Sequence, residues 1–371
     1  MPGAVRFKRL EDWLAWQESA HPRPIDLGLE RVARVLARTG WARPRQPVIT
    51  VGGTNGKGSC VAMLDAMLRA GGYRVGTFTS PHLVDYRERI RVDGQWVSEA
   101  SLIAAFERIT DALGGASLTF FEFNTLAALL VFETAAPDAI VLEVGLGGRL
   151  DAVNVVDPDV AVVVSVGLDH MEFLGPDVES IGREKAGIFR RGRPAICGMP
   201  APPASLLEVA ATLCADLRVR DRDFRGIEHA QGLWSFEDAA GRIERLPAPA
   251  LAGAAQVGNA ATALAALRAL GPRLQLDPAA SGRGLRDVRL PGRFQRVMDG
   301  QGVEWVFDVA HNPAAAAVLA ASLRRHPVPG RTLAVCGMLA DKDVAAVLAE
   351  LRGCCDRWFA AGTDGPRGLS D

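Results

Sequence analysis

The sequence predicts an α/β protein: a mostly parallel sheet domain flanked by helices, then a second, smaller α/β domain. Three observations carry that expectation. The runs "DAIVLEVGLGG" (138–148) and "DVAVVVSVGLDH" (159–170) are almost continuously apolar before each ends in polar residues, as strands buried on both faces are. Residues 47–82 read strand, glycine-rich turn, helix, strand, the order of a βαβ unit. After a stretch punctuated by Pro and Gly at 288–294, strand and helix alternate again.

Residues 7–39 read as two helices, the second starting at an Asp26 N-cap and carrying Leu29, Val32, Val35 and Leu36 at helical spacing. "PVITVGG" (47–53) is a β-branched strand ending in glycines, and "SCVAMLDAMLRAGG" an amphipathic helix closed by Gly71 and Gly72. "RVGTFTSPH" (74–82) is the next strand. "SEASLIAAFERITDAL" and "TFFEFNTLAALLVFETA" are helices preceding the two apolar strands. "ESIGREKAGIF" (179–189) starts a helix and "RPAICG" a strand. From 204 to 250 the pattern weakens into short strands and loops, before the helix "NAATALAALRAL" (259–270). The first domain is therefore expected over 1–288, a linker over 289–293 and the second domain over 294–371. The second domain reads as three strands ("VEWVFDVAHN", "RTLAVCGM", "RWFAAG") and two helices ("PAAAAVLAASLRR", "DVAAVLAELR"). So thin a sheet leaves an unprotected edge. Ser370 and Asp371 read as a cap with no helix behind it, so the domain is expected to be C-terminally incomplete.

At 371 residues, two domains are the natural expectation. The 42 basic and 43 acidic residues nearly cancel, leaving no basic footprint for nucleic acid. No apolar run reaches the roughly 18 residues of a membrane span, and no signal-peptide core opens the chain. The six cysteines form no C-x-x-C and suit reduced thiols in the cytoplasm. A monomer is expected.

"VGGTNGKGSC" does not follow the G-x-x-x-x-G-K-[ST] spelling, yet it joins a strand to a helix as a phosphate-binding loop does. Glycines at 52, 53, 56 and 58 let backbone N–H groups turn inward around an anion, and the helix N-terminus adds partial positive charge. Lys57 supplies a cation for terminal phosphates, and Ser59 a hydroxyl for phosphate or Mg²⁺. The bland alternative is a glycine-rich turn.

Glu143 stands at a strand's C-terminal end before a glycine loop, the edge where open parallel sheets bind ligands. As a hard oxygen donor it is a candidate Mg²⁺ ligand; otherwise it caps a helix or pairs with Arg149. Asp169 and His170 repeat the placement, with metal or phosphate contact set against a structural histidine. Lys185, beside Glu184 and Arg183, reads on its own as part of a solvated charge cluster. In "FDVAHNP", Asp308, His311 and Asn312 occupy a strand-to-helix turn with Pro313 at the first helical position; a capping turn is the alternative. Arg293 of "LPGRF" sits at the hinge, placed to reach a phosphate across an interdomain cleft. No Ser–His–Asp order or zinc spacing stands out. Together these pieces point to ATP and Mg²⁺ held between two α/β domains.

In this order, "TVGGTNGKGS", "TSPHLVDYRERIRV", "LEVGLGGRLDAVN", "LDHMEFLG", "SIGREKAGIF", "LPGRF" and "FDVAHNP" resemble the folylpolyglutamate synthase/dihydrofolate synthase family of the Mur ligase superfamily, from about residue 25 onward. "IDLGLERV" and "TFFEFNTLAALLVF" are most similar to its bifunctional bacterial branch. The resemblance implies a P-loop first domain and a Rossmann-like second one. It implies that Gly56, Lys57, Gly58 and Ser59 hold ATP phosphates, and that Ser80, Glu143 and His170 bind Mg²⁺ at two sites. It implies a carbamylated Lys185, with Lys57 and His170 sharing the catalytic role, and nucleotide contacts from Asn259, Arg293, Asp308 and His311. For a dihydropteroate or folate substrate, it points to Asp26, Leu27, Gly28 and Leu29, to Thr119, Phe120, Phe121 and Glu122, and to Leu150, Asp151 and Ala152. The implied reaction is ATP-driven ligation of L-glutamate through an acyl phosphate. A Mur ligase acting on a UDP-linked peptide, a P-loop kinase and a nucleotide-binding protein without ligase activity are the alternatives.

Overall fold

The computed structural model describes residues 6–363 and 368–369. The chain folds into two compact units. One runs to Ala248 and resumes over Gly258–Val288; the other is Pro249–Val257 with the residues from Arg289 onward.

The first unit opens with α1 (Leu10–Ser19) and α2 (Glu30–Arg38), followed by β1 (Val48–Gly52), α3 (Lys57–Ala70) and β2 (Val75–Phe78). Next come β3 (Ile90–Val92), β4 (Gln95–Trp96), α4 (Glu99–Ala112), α5 (Phe120–Ala135), β5 (Ala139–Glu143) and β6 (Val160–Val163). The chain continues through α6 (Met171–Leu174), α7 (Val178–Ala186), β7 (Pro194–Cys197), α8 (Ala204–Thr212) and β8 (Asp216–Val219). Then follow β9 (Phe224–Glu228), β10 (Leu233–Asp238), β11 (Gly241–Pro247), α9 (Gln256–Ala269) and α10 (Pro278–Asp287).

Eight strands form one sheet in the order β4-β3-β2-β5-β1-β6-β7-β8. The six from β2 to β8 in that order run parallel, and β3 and β4 add an antiparallel edge. The apolar runs thus lie in the middle of the sheet, buried on both faces as the expected α/β fold requires. One core, including Trp13, Phe106, Phe123 and Phe132, gathers under α1, α2, α4 and α5. Another joins β6 and β7 to α7 and α8 through Val163, Ala195, Ile181 and Leu206. Register places Val51 beside Glu143, Gly52 beside Val163 and Phe78 beside Leu142, so the loops after β1, β2, β5 and β6 leave one sheet edge.

Several expectations need correction. Asp26 is not a helix cap: α2 begins at Glu30 with Leu29 as N-cap and no side-chain capping bond, because the Asp26 carboxylate is taken by Arg31. The 204–250 stretch contains α8, then β8, which joins the edge of the large sheet, and then three strands that form the antiparallel sheet β11-β10-β9 around buried Trp234 and Phe236. Helix α10, unforeseen, is capped by Asp277 and lies against α3.

The second unit contains β12 (Gln295–Met298), β13 (Glu304–Phe307), α11 (Pro313–Arg325), β14 (Leu333–Cys336), α12 (Val344–Glu350) and β15 (Arg357–Ala360). Instead of one three-stranded sheet, β12 and β13 form an antiparallel hairpin, and β14 and β15 a separate parallel pair. The strand β12 was not foreseen, and it pairs with β13 along Gln295–Met298. Ala316, Ala320, Val347 and Leu351 bury the facing sides of α11 and α12. The cap read at Ser370 and Asp371 lies outside the described residues.

Candidate active site

The loop between β1 and α3 is shaped by glycines. Gly53 and Gly56 have φ of +149° and +82°. A Cβ on Gly56 would stand 2.9 Å from Val164 Cγ1 and 3.1 Å from Asn259 Oδ1, so glycine both permits the turn and lets the Asn259 side chain reach it. The segment after β6 holds the loop from the side. Thr54 N–H donates to Ser165 O at 2.8 Å, and Asn55 N–H donates to Ser165 Oγ at 2.8 Å. Thr54 Oγ1 donates to Gly167 O at 3.1 Å and accepts from Gly167 N–H at 3.0 Å. Lys57 Nζ donates to Gly53 O at 2.9 Å and Thr54 O at 3.2 Å, keeping its cation over the loop. Gly58 and buried Ser59 follow in the first turn of α3, where N–H groups and the helix dipole favour an anion.

Ser80, just past β2, donates its backbone N–H to Glu143 Oε2 at 3.4 Å. Glu143 is only 4% exposed, at the end of β5. Burial, and secondarily the Glu143 charge, push the neighbouring Cys60 thiol up to about 12. Arg149 is not its partner, because that guanidinium binds Glu184 through two nitrogens at 3.0 and 2.7 Å. His170 leaves the same edge after β6, in a left-handed conformation (φ +51°) that turns the chain into α6. Its N–H donates to Asp169 Oδ1 at 3.0 Å. Among the described residues, no three His, Cys, Asp or Glu side chains gather as a metal site. Ser80, Glu143 and His170 instead offer a hydroxyl, a carboxylate and an imidazole. That donor chemistry, beside a phosphate-type loop, fits Mg²⁺ or Mn²⁺ completed by phosphate and water oxygens.

Lys185 is not solvated; it is 4% exposed, on the inward face of α7 with Ile181, while Arg183 and Glu184 face outward. Burial, then the Lys57 ammonium, bring it down to about 7, against the opposing charges of Asp169 and Asp151. Asp151 is itself pushed up to about 6 by burial, despite accepting N–H bonds from Leu146 at 2.8 Å and Val153 at 3.0 Å. It caps the short turn that begins at Ala152, immediately after Leu150. Lys57, Lys185, Asp151 and Asp169 therefore form one electrostatic group.

The Asp26 and Thr119 stretches, far apart in sequence, are joined through Arg31. Its Nη1 donates to Asp26 Oδ2 at 2.7 Å, and its Nη2 to Glu122 Oε1 at 2.6 Å. This pairing holds the Asp26 carboxyl below the usual range. Leu27, Gly28 and Leu29 form the connection into α2. Thr119 and Glu122 make a reciprocal capping box at the start of α5. Phe121 packs on Phe78 with centroids 5.8 Å apart and covers Gly145, where a Cβ would stand 2.5 Å from its ring. Phe120 faces Tyr86 and the guanidinium of Arg89. Sequence reasoning did not single out Arg31, His82 or Arg89.

In the second unit, Asp308 ties its turn together by accepting N–H bonds from Phe294 and Ala310, both at 2.8 Å. Asn312 caps α11, and His311 Nδ1 lies 2.9 Å from Val309 O. Arg293 Nη1 donates to Gly292 O at 3.3 Å. The capping role belongs to Asn312.

Residues 51–198 match the Mur ligase middle domain, and residues 292–371 the Mur ligase glutamate ligase domain. The chain is 50% identical over 363 residues to the dihydrofolate synthase/folylpolyglutamate synthase of Escherichia coli, covering 97% of this chain and 83% of that protein. It is also similar to E. coli FolC solved in complex with DHPP and ADP, with a TM-score of 0.93 and 49% identity over 100% of this chain and 87% of that one. A bifunctional folylpolyglutamate synthase/dihydrofolate synthase with Mn, AMPPNP and L-glutamate bound has a TM-score of 0.91 and 45% identity, covering 99% of this chain and 87% of that chain. By identity sustained over nearly its whole length, this chain belongs to the dihydrofolate synthase/folylpolyglutamate synthase family of Mur ligases.

Proposed function

We propose that the protein is an ATP-dependent ligase that joins L-glutamate to the carboxyl group of dihydropteroate and, in the same site, to folates. The observation that carries this reading is the convergence on one sheet edge of the 52–59 loop, the Ser80–Glu143 contact and buried Lys185. The family's paired activities support both substrates. A UDP-peptide ligase, a kinase and a non-catalytic binding protein find no support among these relatives.

In this reading a substrate carboxylate attacks the γ-phosphorus of ATP, giving an acyl phosphate and ADP. The amine of L-glutamate then attacks the acyl carbon and phosphate leaves. Such transfer depends on positioning and charge neutralisation. The loop N–H groups with Gly56, Lys57, Gly58 and Ser59 bind the phosphates, and Asn259 reaches the same loop. Ser80, Glu143 and His170 would hold Mg²⁺ at two sites, and the metal would supply further neutralisation of the polyphosphate when bound. Lys185 is proposed to be carbamylated. A buried amine brought down to about 7 is partly neutral near physiological pH, and the neutral amine is the form that adds CO₂. The carbamate would replace a cation beside Lys57 with an anionic oxygen donor.

The Asp26–Leu29, Thr119–Glu122 and Leu150–Ala152 stretches are proposed to bind the pterin substrate. Arg293, Asp308 and His311 are proposed nucleotide contacts, with 289–293 as the linker. The test is ATP-dependent product formation with L-glutamate, using dihydropteroate and tetrahydrofolate separately, followed by mass spectrometry. A product one glutamyl residue heavier is expected from each. ATP turnover without either product would overturn the ligase reading.

A further inference from the structure

Arg89 ends the short turn Tyr86–Arg89, just before β3, and is only 8% exposed. Its Nε donates to His82 Nδ1 at 2.7 Å, and its guanidinium carbon lies 5.3 Å from the Phe120 ring centroid. Among the described residues, neither terminal nitrogen has a hydrogen-bond partner and no carboxylate comes within ion-pairing distance. Burial pulls the guanidinium below the usual arginine range, and the charges of Glu143 and Glu88 oppose that without prevailing. Buried arginines are ordinarily paired, since an uncompensated charge away from water is costly. The two terminal nitrogens are not among the sealed polar atoms that lack a partner, so they face accessible space.

With Nε engaged by His82, the Nη1–Nη2 edge remains, a planar fork that matches a carboxylate. Phe120 lies on one side of it, and Glu143 is near enough for its charge to be felt. We propose that Arg89 binds the carboxylate of the pterin substrate and aims one of its oxygens at ATP. This inference rests on the ligase reading above. The cation would offset repulsion between carboxylate and γ-phosphate. In the step it serves, a carboxylate lone pair forms the bond to γ-phosphorus. The bond from that phosphorus to the β–γ bridging oxygen breaks, and its electron pair leaves with ADP; no proton moves.

The test compares dihydropteroate with an analogue in which a methyl group replaces the carboxylate. Dissociation constants are measured by fluorescence titration at saturating ADP, for the intact chain, Arg89→Met and Arg89→Lys, with the ADP constant measured separately. Arg89→Met should weaken dihydropteroate binding about 10- to 100-fold, while leaving the analogue and ADP nearly unchanged. Arg89→Lys should recover part of the loss and carries the test should the Met variant not fold. Equal weakening of both pterin ligands would reduce Arg89 to a structural residue. Weakened ADP binding alone would reassign it to phosphate. If the unaltered chain binds neither pterin ligand, the ligase reading itself fails and this proposal with it.

Discussion

Arg31 grips the Glu122 carboxylate with two nitrogens, Nη2 to Oε1 at 2.6 Å and Nε to Oε2 at 3.3 Å. The same guanidinium holds Asp26, so one side chain fixes the loop before α2 to the start of α5.

Breaking that link from one side should cost more than removing both partners. Arg31→Met leaves Glu122 buried without its cation and should lower stability by about 2 kcal/mol, whereas Arg31→Met with Glu122→Leu should recover part of the loss. Thermal melts of Arg31→Met, Glu122→Leu, the double variant and the parent check this. Additive losses would show that the pair is not coupled.

Gly56→Ala combines left-handed backbone strain with a contact of 2.9 Å to Val164. It should cost about 1–3 kcal/mol and weaken ADP binding. Gly192, at φ +65° with open space around it, isolates the backbone strain. Gly192→Ala should destabilise less and leave ADP affinity intact. Equal effects in calorimetric titration and melting would remove the steric argument.

Lys185 should impose a pH dependence on stability. Its folded value of about 7 lies below its ordinary 10.5. Between these values the unfolded chain binds more protons, so stability rises with pH through the window. The penalty for burying the ammonium is full below pH 7 and fades above it. Lys185→Met should therefore show a flatter rise in melting temperature from pH 7 to 9 in CO₂-depleted buffer. Parallel curves for parent and variant would contradict the buried-ammonium account.

The parts legible in sequence are those whose cause is local. β1, β5 and β6 announce themselves because burial on both faces demands unbroken apolar runs, and the 52–59 loop because its backbone needs glycine. Helix α10 was hidden for the opposite reason. "PAASGRGLRD" has poor helix propensity and is held by packing on α3, where a Cβ on Gly284 would stand 2.5 Å from the Met67 backbone. Arg31 was missed because its partner Glu122 is 91 residues away. That same ion pair network defeated the reading of Asp26 as a cap. Charged neighbours made Lys185 look solvated, yet the helical turn places residues 181 and 185 inward and 183 and 184 outward.

Lys57 is half-buried, with its ammonium held by two carbonyls of its own loop. Lys57→Ala should abolish ligation while shifting the melting temperature by no more than a few degrees. Near-normal product formation would remove this lysine from phosphate binding.

Activation of the substrate carboxylate as an acyl phosphate is the step on which the proposed chemistry turns. Dihydropteroate labelled with ¹⁸O in its carboxylate, incubated with ATP and L-glutamate, tests it directly through the mass of the released phosphate. One labelled oxygen in each phosphate formed is the predicted result. Unlabelled phosphate accompanied by the amide product would contradict the account.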